Sequence, residues 1–417
     1  MLQAAKDNAV ASTILVQPAG ISTMDANPAL QGKADILVGT LEIPYYLSAP
    51  ADGDPQVALN SFWRAANGGF VTAFNPAPAP TSTQTIPVLM TVPNANSTSG
   101  GSAPDAGWPI VIFQHGIARD RSDMLAIADA MADAGFAVVA IDLPMHGITD
   151  TTSSLYNEGG ERTFNLDLRN NDSGASGPDG NIDSSGQYFI NLTNLLNSRD
   201  NLRQGVADLF TLSASVSNLP GIDPSRKAFV GLSLGAMTGA TAIAFDNSYQ
   251  SATLAAPGGG IARFLIASPS FGPTIIEGLA GNGVDIASAT GQQFINATQT
   301  AIDPADPINF TAATVGNSQI HLVQMQQDTV IPGAVEGAAL SGTSALVKLM
   351  GLPTATSSTS GDAHVLFATG AHGALLSPGA DLVDLAVTTE LQTQTAAYAA
   401  SAGTQLPITN TELVTAP

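Results

Sequence analysis

The sequence has no cysteine, little positive charge and few aromatic residues. Its 417 residues include 13 Lys and Arg against 34 Asp and Glu, which gives a formal net charge of -21, and aromatic residues make up 6%. The lack of cysteine excludes disulfides, thiolate metal ligands and a cysteine nucleophile. The excess of negative charge argues against nucleic acid or an anionic membrane as an electrostatic partner.

Long apolar runs are also missing. No segment reaches the ~18 apolar residues that a membrane-spanning helix requires, so we predict no transmembrane segment. The first residues, MLQAAKDNAV, lack the basic stretch followed by an apolar run that marks a signal peptide. Few lysines and many Ser, Thr, Asn and Gly residues are nevertheless typical of exported proteins. We therefore expect a secreted, periplasmic or cell-surface protein whose leader has been removed.

The pattern of apolar segments changes after about residue 105. Residues 1–105 alternate short β-like runs with connectors rich in Pro and Ser. From Trp108 on, strands that are apolar on both faces alternate with helical segments, which is typical of a mostly parallel sheet covered by helices. We therefore predict a β-rich N-terminal domain or extension over residues 1–105 and an α/β domain over residues 106–417.

Individual elements of the α/β region follow from the same patterns. Ser122 and Gly135 bracket its first helix as start and stop signals. A long and mostly helical insertion, about 259–316, is expected between two strands. The predicted strands are 108–113, 136–142, 227–230, 251–257, 319–325 and 364–369, and the predicted helices are 122–135, 198–216 and 380–401.

The pentapeptide GLSLG, residues 231–235, is the most informative motif. A short apolar strand, KAFV, precedes it, and small helix-compatible residues follow it. A strand that runs into G-x-S-x-G and then into a helix is the context of a nucleophile elbow, in which glycines permit a sharp turn with the serine at its apex. Ser233 would then lie at a helix N-terminus, which favours developing negative charge. We predict that Ser233 is a nucleophile.

A serine nucleophile needs a base, and the chain contains five histidines. In the α/β-hydrolase arrangement the order along the chain is serine, acid, histidine, so the base must follow Ser233. His321 and His364 lie within predicted strands and read as structural residues. His372 lies in a loop between the last strand and the last helix, and it is our predicted base.

The acid that orients the base is expected just beyond a strand, between the serine and the histidine. Asp328 follows the strand 319–325 and precedes a turn-like VIPG. Asp303 and Asp306 belong to a polar DPADP segment that is typical of a helix cap. Asp362 precedes a strand, which is the wrong end of the sheet for catalysis. Asp328 is therefore the predicted acid.

An oxyanion formed in acyl transfer requires two oriented N–H donors. One is expected from Leu234, directly after the nucleophile. The other is expected from the loop after strand 108–113, where His115 and Gly116 precede Ile117. The HG pair allows the backbone to turn so that the Ile117 amide faces the serine, with His115 as a loop-stabilising side chain; an ordinary turn is the alternative interpretation.

Several other motifs are weaker. Asp142 and His146, in DLPMHG, are expected to shape a loop. The loop 172–183 has acidic residues and glycines in a spacing faintly like a calcium loop, but it lacks the closing glutamate. The PGGG run at 257–260 does not have the form of a phosphate-binding loop. We predict no cofactor and no required metal, with calcium binding at 172–183 left open.

Longer stretches resemble a known family. FQHGIARDRSDMLAIADAMADAGFAVVAIDLPMHGITD, ERTFNLDL with SGPDGNID, SRDNLRQGVADL and APGGGIARFL are similar to bacterial extracellular lipases, and more narrowly to the virulence-factor lipases, which carry a dedicated N-terminal domain. GTLEIPYYLSAP and LNSFWRAANGGF extend the resemblance into the N-terminal region. It implies an α/β-hydrolase fold, export and carboxylic ester hydrolysis, and some similar marine and metagenomic esterases also act on synthetic polyesters.

The resemblance places the family's serine, aspartate and histidine on Ser233, Asp328 and His372. The elbow departs from the family pattern, because GLSLG replaces the GHSLG or GHSQG common among lipases. That change leaves the three residues intact and removes a histidine beside the nucleophile.

These inferences predict a serine carboxylic-ester hydrolase, a carboxylesterase or lipase, that forms an acyl-enzyme. The expected partner is a small-molecule, lipid or polyester ester, with interfacial contact through the 259–316 insertion acting as a cap. Three alternatives stay open: an acyltransferase with the same triad, a catalytically silent hydrolase fold used for binding, and a serine peptidase.

Overall fold

The computed structural model describes residues 1–50, 54–379 and 381–417. The chain divides into two compact units, Met1–Lys227 and Ala228–Pro417. The boundary falls inside one strand, β6 (Ile222–Leu232).

The first unit builds a mixed sheet. Its strands run in the order β1-β2-β3-β5-β4, with β3 antiparallel to both β2 and β5, and β4 parallel to β5. Its elements are β1 (Ile14–Ser22), β2 (Ala34–Tyr45), β3 (Ser82–Pro93), β4 (Trp108–Gln114), β5 (Ala137–Ile141), α1 (Leu2–Asn8), α2 (Thr23–Ala26), α3 (Val57–Asn60), α4 (Leu125–Asp133) and α5 (Leu195–Ser215).

Strands β4 and β5 are buried along their whole length, as a parallel pair covered on both faces should be. A 3-10 turn, Arg121–Met124, leads into α4. Its cap is Asp120, which accepts a hydrogen bond from the Ser122 amide. The cap predicted at Ser122 was therefore wrong by two residues, because an aspartate is an equally good acceptor for free N–H groups.

Three strands of the predicted N-terminal domain pair within this sheet. β1 pairs with β2, β2 with β3, and β3 with β5 over Val88–Thr91. A division of the chain at residue 105 stays a prediction.

Helix α5 carries polar side chains that are buried rather than solvated. Asn197 donates to the carbonyls of Ala58 and Ser61, and Asp200 accepts from the Trp63 amide at 2.8 Å. Buried polar groups persist only where they are paired. Here the partner of each is the irregular backbone around α3, so α5 fixes the segment 58–63 in place.

The second unit is a mostly parallel sheet with helical connections. Its strands follow the order β6-β7-β8-β9-β10; β10 pairs antiparallel with β9. Its elements are β7 (Ser251–Ala255), β8 (Gln319–Met325), β9 (Ala363–Phe367), β10 (Val414–Thr415), α6 (Leu234–Ile243), α7 (Ile261–Ala267), α8 (Gly272–Gly281), α9 (Ala289–Ile302), α10 (Thr311–Asn317), α11 (Thr343–Met350) and α12 (Leu382–Ala400).

The insertion predicted at about 259–316 is helical. Helices α7 to α10 fill it, with 3-10 turns at Asp303–Ala305 and Pro307–Asn309. Asp306 caps the second of these turns through the Ile308 amide. The predicted final helix, 380–401, is α12, whose N-cap is Asp381; residue 380 lies outside the described residues.

Candidate active site

Ser233 lies at the apex of a strained turn between β6 and α6. Its backbone angles are φ 55° and ψ -120°, which non-glycine residues rarely adopt and which often mark functional positions. Its amide donates to the Ala255 carbonyl at 2.8 Å. A β-carbon added at Gly231 would lie 2.7 Å from Ala236 N and from Gly235 O. The first glycine of GLSLG is therefore required by the turn.

The helix after the serine is also held close to its strand. A β-carbon at Gly239 would lie 2.0 Å from the ring of Phe229. Glycine at this position lets α6 pack directly on β6, so the helix N-terminus and Ser233 have one fixed relation to the strand.

Asp328 and His372 meet in the second unit. Asp328 follows β8, and its Oδ2 lies 2.7 Å from Nδ1 of His372. Its other oxygen, Oδ1, accepts hydrogen bonds from the amides of Val330 and Ile331 at 2.7 and 2.9 Å. All three neighbouring groups donate, so the carboxylate fixes the imidazole with the hydrogen on Nδ1 and leaves Nε2 as the basic nitrogen.

That nitrogen is buried and has no hydrogen-bond partner among the described residues. Ser233 is only 5% exposed and makes no hydrogen bond with His372 within the described part of the chain. Hydrogen bonds to a catalytic base are often formed only when substrate is bound. The structure thus presents a serine at a strained turn and, separately, an imidazole with a free acceptor nitrogen.

The two other histidines of this unit have structural contacts. His364 uses both ring nitrogens, with Thr354 Oγ1 at 3.0 Å and Gln324 Oε1 at 3.1 Å. Nδ1 of His321 lies 3.2 Å from Thr253 Oγ1. Burial lowers the pKa of His321 to about 3 and that of His364 to about 4. Both rings are therefore neutral and make contacts within the sheet, which agrees with the structural role expected from the sequence.

The competing aspartates have structural partners too. Asp306 accepts from the amides of Gly260, Ile261 and Ile308. Asp362 accepts from the Ile320 amide at 2.7 Å, at the start of β8. Their positions match the cap and the opposite strand end that the sequence indicated.

The loop after β4 holds His115 in one orientation. Its Nδ1 lies 2.7 Å from the Gly116 carbonyl, and its Nε2 lies 3.0 Å from the Leu143 amide. Because the carbonyl can only accept and the amide can only donate, the hydrogen is on Nδ1. Among the described residues, nothing accepts a hydrogen bond from the amide of Ile117 or from that of Leu234. Each predicted oxyanion donor is thus a free N–H in its own unit.

Asp142 and Arg121 form the support of this loop, and the pairing has no sequence signature. Arg121 Nη1 lies 2.6 Å from Asp142 and 2.7 Å from Glu161. Although burial favours the neutral acid, Arg121 lowers the pKa of Asp142. His146 is fully buried close by, and burial lowers its pKa to about 3. Asp142 thus belongs to a buried ion network that ties residues 142–161 to the 3-10 turn before α4, and His146 lies near it as a neutral ring whose Nδ1 contacts the Pro144 carbonyl.

The described ranges 1–50, 54–379 and 381–417 contain no group of three or more His, Cys, Asp or Glu side chains able to hold a metal ion. In the loop 172–183, Asp179 accepts from the amides of Asn171 and Asn181. In those same ranges, no helix is both long and apolar enough to cross a bilayer.

The strand arrangement and the elbow define an α/β-hydrolase fold, and the predicted fold class is confirmed. No known family profile and no curated protein matches the chain. Among solved structures it is similar to an acetyl xylan esterase from Paenibacillus sp. R4, with 13% identity, 88% of this chain and 85% of that chain covered and a TM-score of 0.47.

Two further structures are similar at the same level. Acetyl xylan esterase 1 from Thermoanaerobacterium sp. JW/SL YS485 has 15% identity, coverage of 94% of this chain and 92% of that chain, and a TM-score of 0.47. A 2,6-dihydroxy-pseudo-oxynicotine hydrolase has 13% identity, coverage of 78% and 67%, and a TM-score of 0.46.

Proposed function

We propose that the chain is a serine carboxylic-ester hydrolase that works through an acyl-enzyme. The observation that carries the proposal is the 2.7 Å contact between Asp328 and Nδ1 of His372, together with the buried, unpartnered Nε2 of that ring. The same unit presents Ser233 at a strained elbow. A nucleophile, a base and an orienting acid are the parts that this chemistry needs.

In the proposed reaction, Ser233 Oγ attacks the ester carbonyl while His372 Nε2 accepts its proton. The amides of Ile117 and Leu234 donate to the oxyanion. His372 then returns the proton to the leaving alcohol as the C–O bond breaks. Water, deprotonated by the same nitrogen, attacks the acyl-enzyme, and the acid leaves as Ser233 regains its proton. Asp328 keeps the imidazole oriented throughout.

The proposal is tested with soluble p-nitrophenyl esters and the variant Ser233→Ala. We expect activity to fall at least a thousandfold, whereas Ser357→Ala, at an exposed serine of the same unit, should match wild type. A serine-directed phosphonate should label wild type and not Ser233→Ala. Undiminished hydrolysis by Ser233→Ala would contradict the mechanism, and failure to label wild type would favour a silent binding protein. Added alcohol should leave free acid as the main product; a main ester product would indicate an acyltransferase.

The finer part of the proposal concerns substrate and location. We propose that helices α7 to α10 cap the acyl site and that lipids or polyesters are among the substrates. Apolar residues of the insertion, such as those in FLIASPSFGPTIIEGLAG, support an apolar acyl pocket. A profile of activity against acyl-chain length tests this, since preference for acetyl esters alone would contradict it. Export is proposed from composition, and fractionation of cells that express the natural gene would test it, since protein confined to the cytoplasm would contradict it.

A further inference from the structure

A small lobe of the first unit presents an exposed cluster of aromatic rings. We define the aromatic lobe as residues 62–79. Phe74 is 100% exposed and Phe70 is 56% exposed. Single exposed apolar side chains are common and need no explanation, but these two stand in one compact lobe of a chain that has few aromatic residues.

The rings of the lobe are arranged as a platform. The rings of Phe62 and Phe70 stack with centroids 5.5 Å apart and planes 8° apart. The guanidinium of Arg64 lies 4.1 Å from the centroid of Phe62 and 5.2 Å from that of Phe70. Stacking of this kind restrains all three side chains, so binding to the platform would cost little conformational entropy.

The backbone of the lobe is hydrogen-bonded to itself. Thr72 and Asn75 exchange two backbone hydrogen bonds of 3.1 Å, which puts Phe74 in a tight turn. Asn67 accepts from the Gly69 amide and from the Asn75 side chain. Trp63, which lies between Phe62 and Arg64 in the chain, is buried, and its amide donates to Asp200 of α5. The lobe is thus a supported projection with an apolar tip.

The charge of the lobe differs from that of the whole chain. Although the chain has 34 acidic residues, none lies between Asp54 and Asp105, and Arg64 is the single charged residue in that stretch. No carboxylate pairs with Arg64 within the part of the chain that the structure describes. A surface without negative charge can approach an apolar phase closely, because no carboxylate has to be desolvated.

The occupant follows from charge and hydrogen bonding. A net charge of -21 opposes contact with an anionic bilayer. Asn67 Oδ1 and Asn75 Nδ2 are already hydrogen-bonded inside the lobe, which leaves fewer polar atoms to recognise sugar hydroxyls. An uncharged, apolar surface is the partner that fits two exposed phenylalanines and no carboxylates.

We propose that the aromatic lobe docks this protein on the surface of a water-insoluble, uncharged ester, with Phe70 and Phe74 as the contacting side chains. The choice of an ester, rather than any other apolar phase, rests on the proposed hydrolase function. The lobe would hold the enzyme at the surface of its own substrate.

Adsorption of Ser233→Ala protein to trioctanoylglycerol droplets tests the proposal, because this protein cannot consume the droplets. In that background, Phe70→Ser with Phe74→Ser should weaken adsorption about tenfold or more. Phe74→Leu, which keeps an apolar tip, should retain it. Leu15→Ser is the matched control, since Leu15 is 63% exposed on β1 of the same unit, and it should adsorb like its parent.

Three results would overturn docking: equal adsorption by the Phe70→Ser/Phe74→Ser variant, equal loss in Leu15→Ser, or preferential binding of the parent to cellulose particles or phosphatidylglycerol vesicles. With an active Ser233, the double variant should keep its kcat/KM on a soluble ester within twofold; a matching loss there would show a folding defect and count against docking. Droplet adsorption without any ester hydrolysis by wild type would instead reject the proposed function, so the two failures are distinguishable.

Discussion

His115 controls the orientation of one peptide group in the proposed oxyanion site. Its Nδ1–H donates to the Gly116 carbonyl, and its Nε2 accepts from the Leu143 amide. The carbonyl of a trans peptide and the N–H that follows it point in opposite directions. The bond to Gly116 O therefore turns the Ile117 N–H away from the imidazole, and the Leu143 amide selects the tautomer that makes this bond.

Two amide replacements separate these functions of His115. His115→Asn keeps a donor near the position of Nδ1, while His115→Gln places an acceptor near the position of Nε2. We expect His115→Gln to lower kcat by roughly 10²-fold, the loss of one oxyanion donor, with KM little changed. His115→Asn should lose less. Steady-state kinetics on a soluble ester measure both.

A change confined to KM would contradict the positioning role of His115, and so would equal losses in the two variants. Phosphonate labelling of Ser233 in each variant is the control that the nucleophile is still in place. Either contradicting outcome would indicate that His115 contributes to the stability of the fold and not to the orientation of the oxyanion loop.

Among secondary-structure elements, α7 has its first amides bound by the Asp306 carboxylate and by Gln299 Oε1. Asp306 Oδ2 accepts from the Ile261 amide and from Gln299 Nε2, each at 2.9 Å, and Oδ1 accepts from the Ile308 amide at 3.0 Å. The side chain thus joins the start of α7 to the end of α9 inside the insertion. Burial raises the pKa of Asp306 because it disfavours the charged carboxylate. The hydrogen bonds donated to the carboxylate act in the opposite direction and offset part of the cost of burying it.

Asp306→Asn replaces one of the two accepting carboxylate oxygens with an NH2 group, which cannot accept a hydrogen bond. The backbone amides that donate to that oxygen therefore lose their partner. We expect a loss of about 1–3 kcal/mol in the free energy of unfolding, measured by urea titration. If α7 to α10 cap the acyl site, hydrolysis of long acyl esters should fall more than that of acetyl esters. Asp285→Asn, at an exposed position of the insertion, is the matched control. A uniform loss across chain lengths would argue against the cap.

The elements that could be predicted are those specified by local pattern. Strand 319–325 was predicted with its observed bounds, because its apolar residues Ile320, Leu322, Val323 and Met325 stand between polar residues on both sides. The strand before GLSLG was predicted as 227–230 but extends over Ile222–Leu232. The prediction was too short because residues 223–226 are polar or exposed and carry no apolar strand pattern. Asp120 replaced Ser122 as a cap because both residue types suit that position.

Contacts between distant segments could not be predicted. The Asp328–His372 pair could be predicted because the order of serine, acid and histidine along a hydrolase chain leaves only a few candidate aspartates and histidines. The Arg121–Asp142–Glu161 network had no such rule, and each residue alone resembles an ordinary surface charge. The platform of Phe62, Arg64 and Phe70 likewise depends on a turn whose geometry the sequence does not specify.

Over the whole molecule, buried neutral histidines link stability to pH. The folded pKa is about 3 for His146 and His321 and about 4 for His364, all lowered by burial, against a value near 6.5 in the unfolded chain. Below pH 6.5 the unfolded chain binds protons that the folded protein does not. Each ring therefore contributes stability that is complete above pH 6.5 and is lost as the pH falls toward the folded pKa.

His364→Gln isolates one such contribution. Glutamine does not titrate, and its amide can still reach the Gln324 oxygen that lies 3.1 Å from His364 Nε2. Wild type should be the more stable protein at pH 7. Between pH 7 and pH 4.5 its advantage should shrink by about 2 kcal/mol, because only wild type loses the histidine contribution. Buried carboxyl groups titrate in the same range, but they are present in both proteins and cancel in the difference.

Urea unfolding at pH 7, 6, 5 and 4.5 measures the difference in the free energy of unfolding between the two proteins, and pH 7 to 9 serves as the range where it should stay constant. A difference that is constant down to pH 4.5 would mean that His364 is protonated in the folded protein, and its contacts with Thr354 and Gln324 would then have to rearrange.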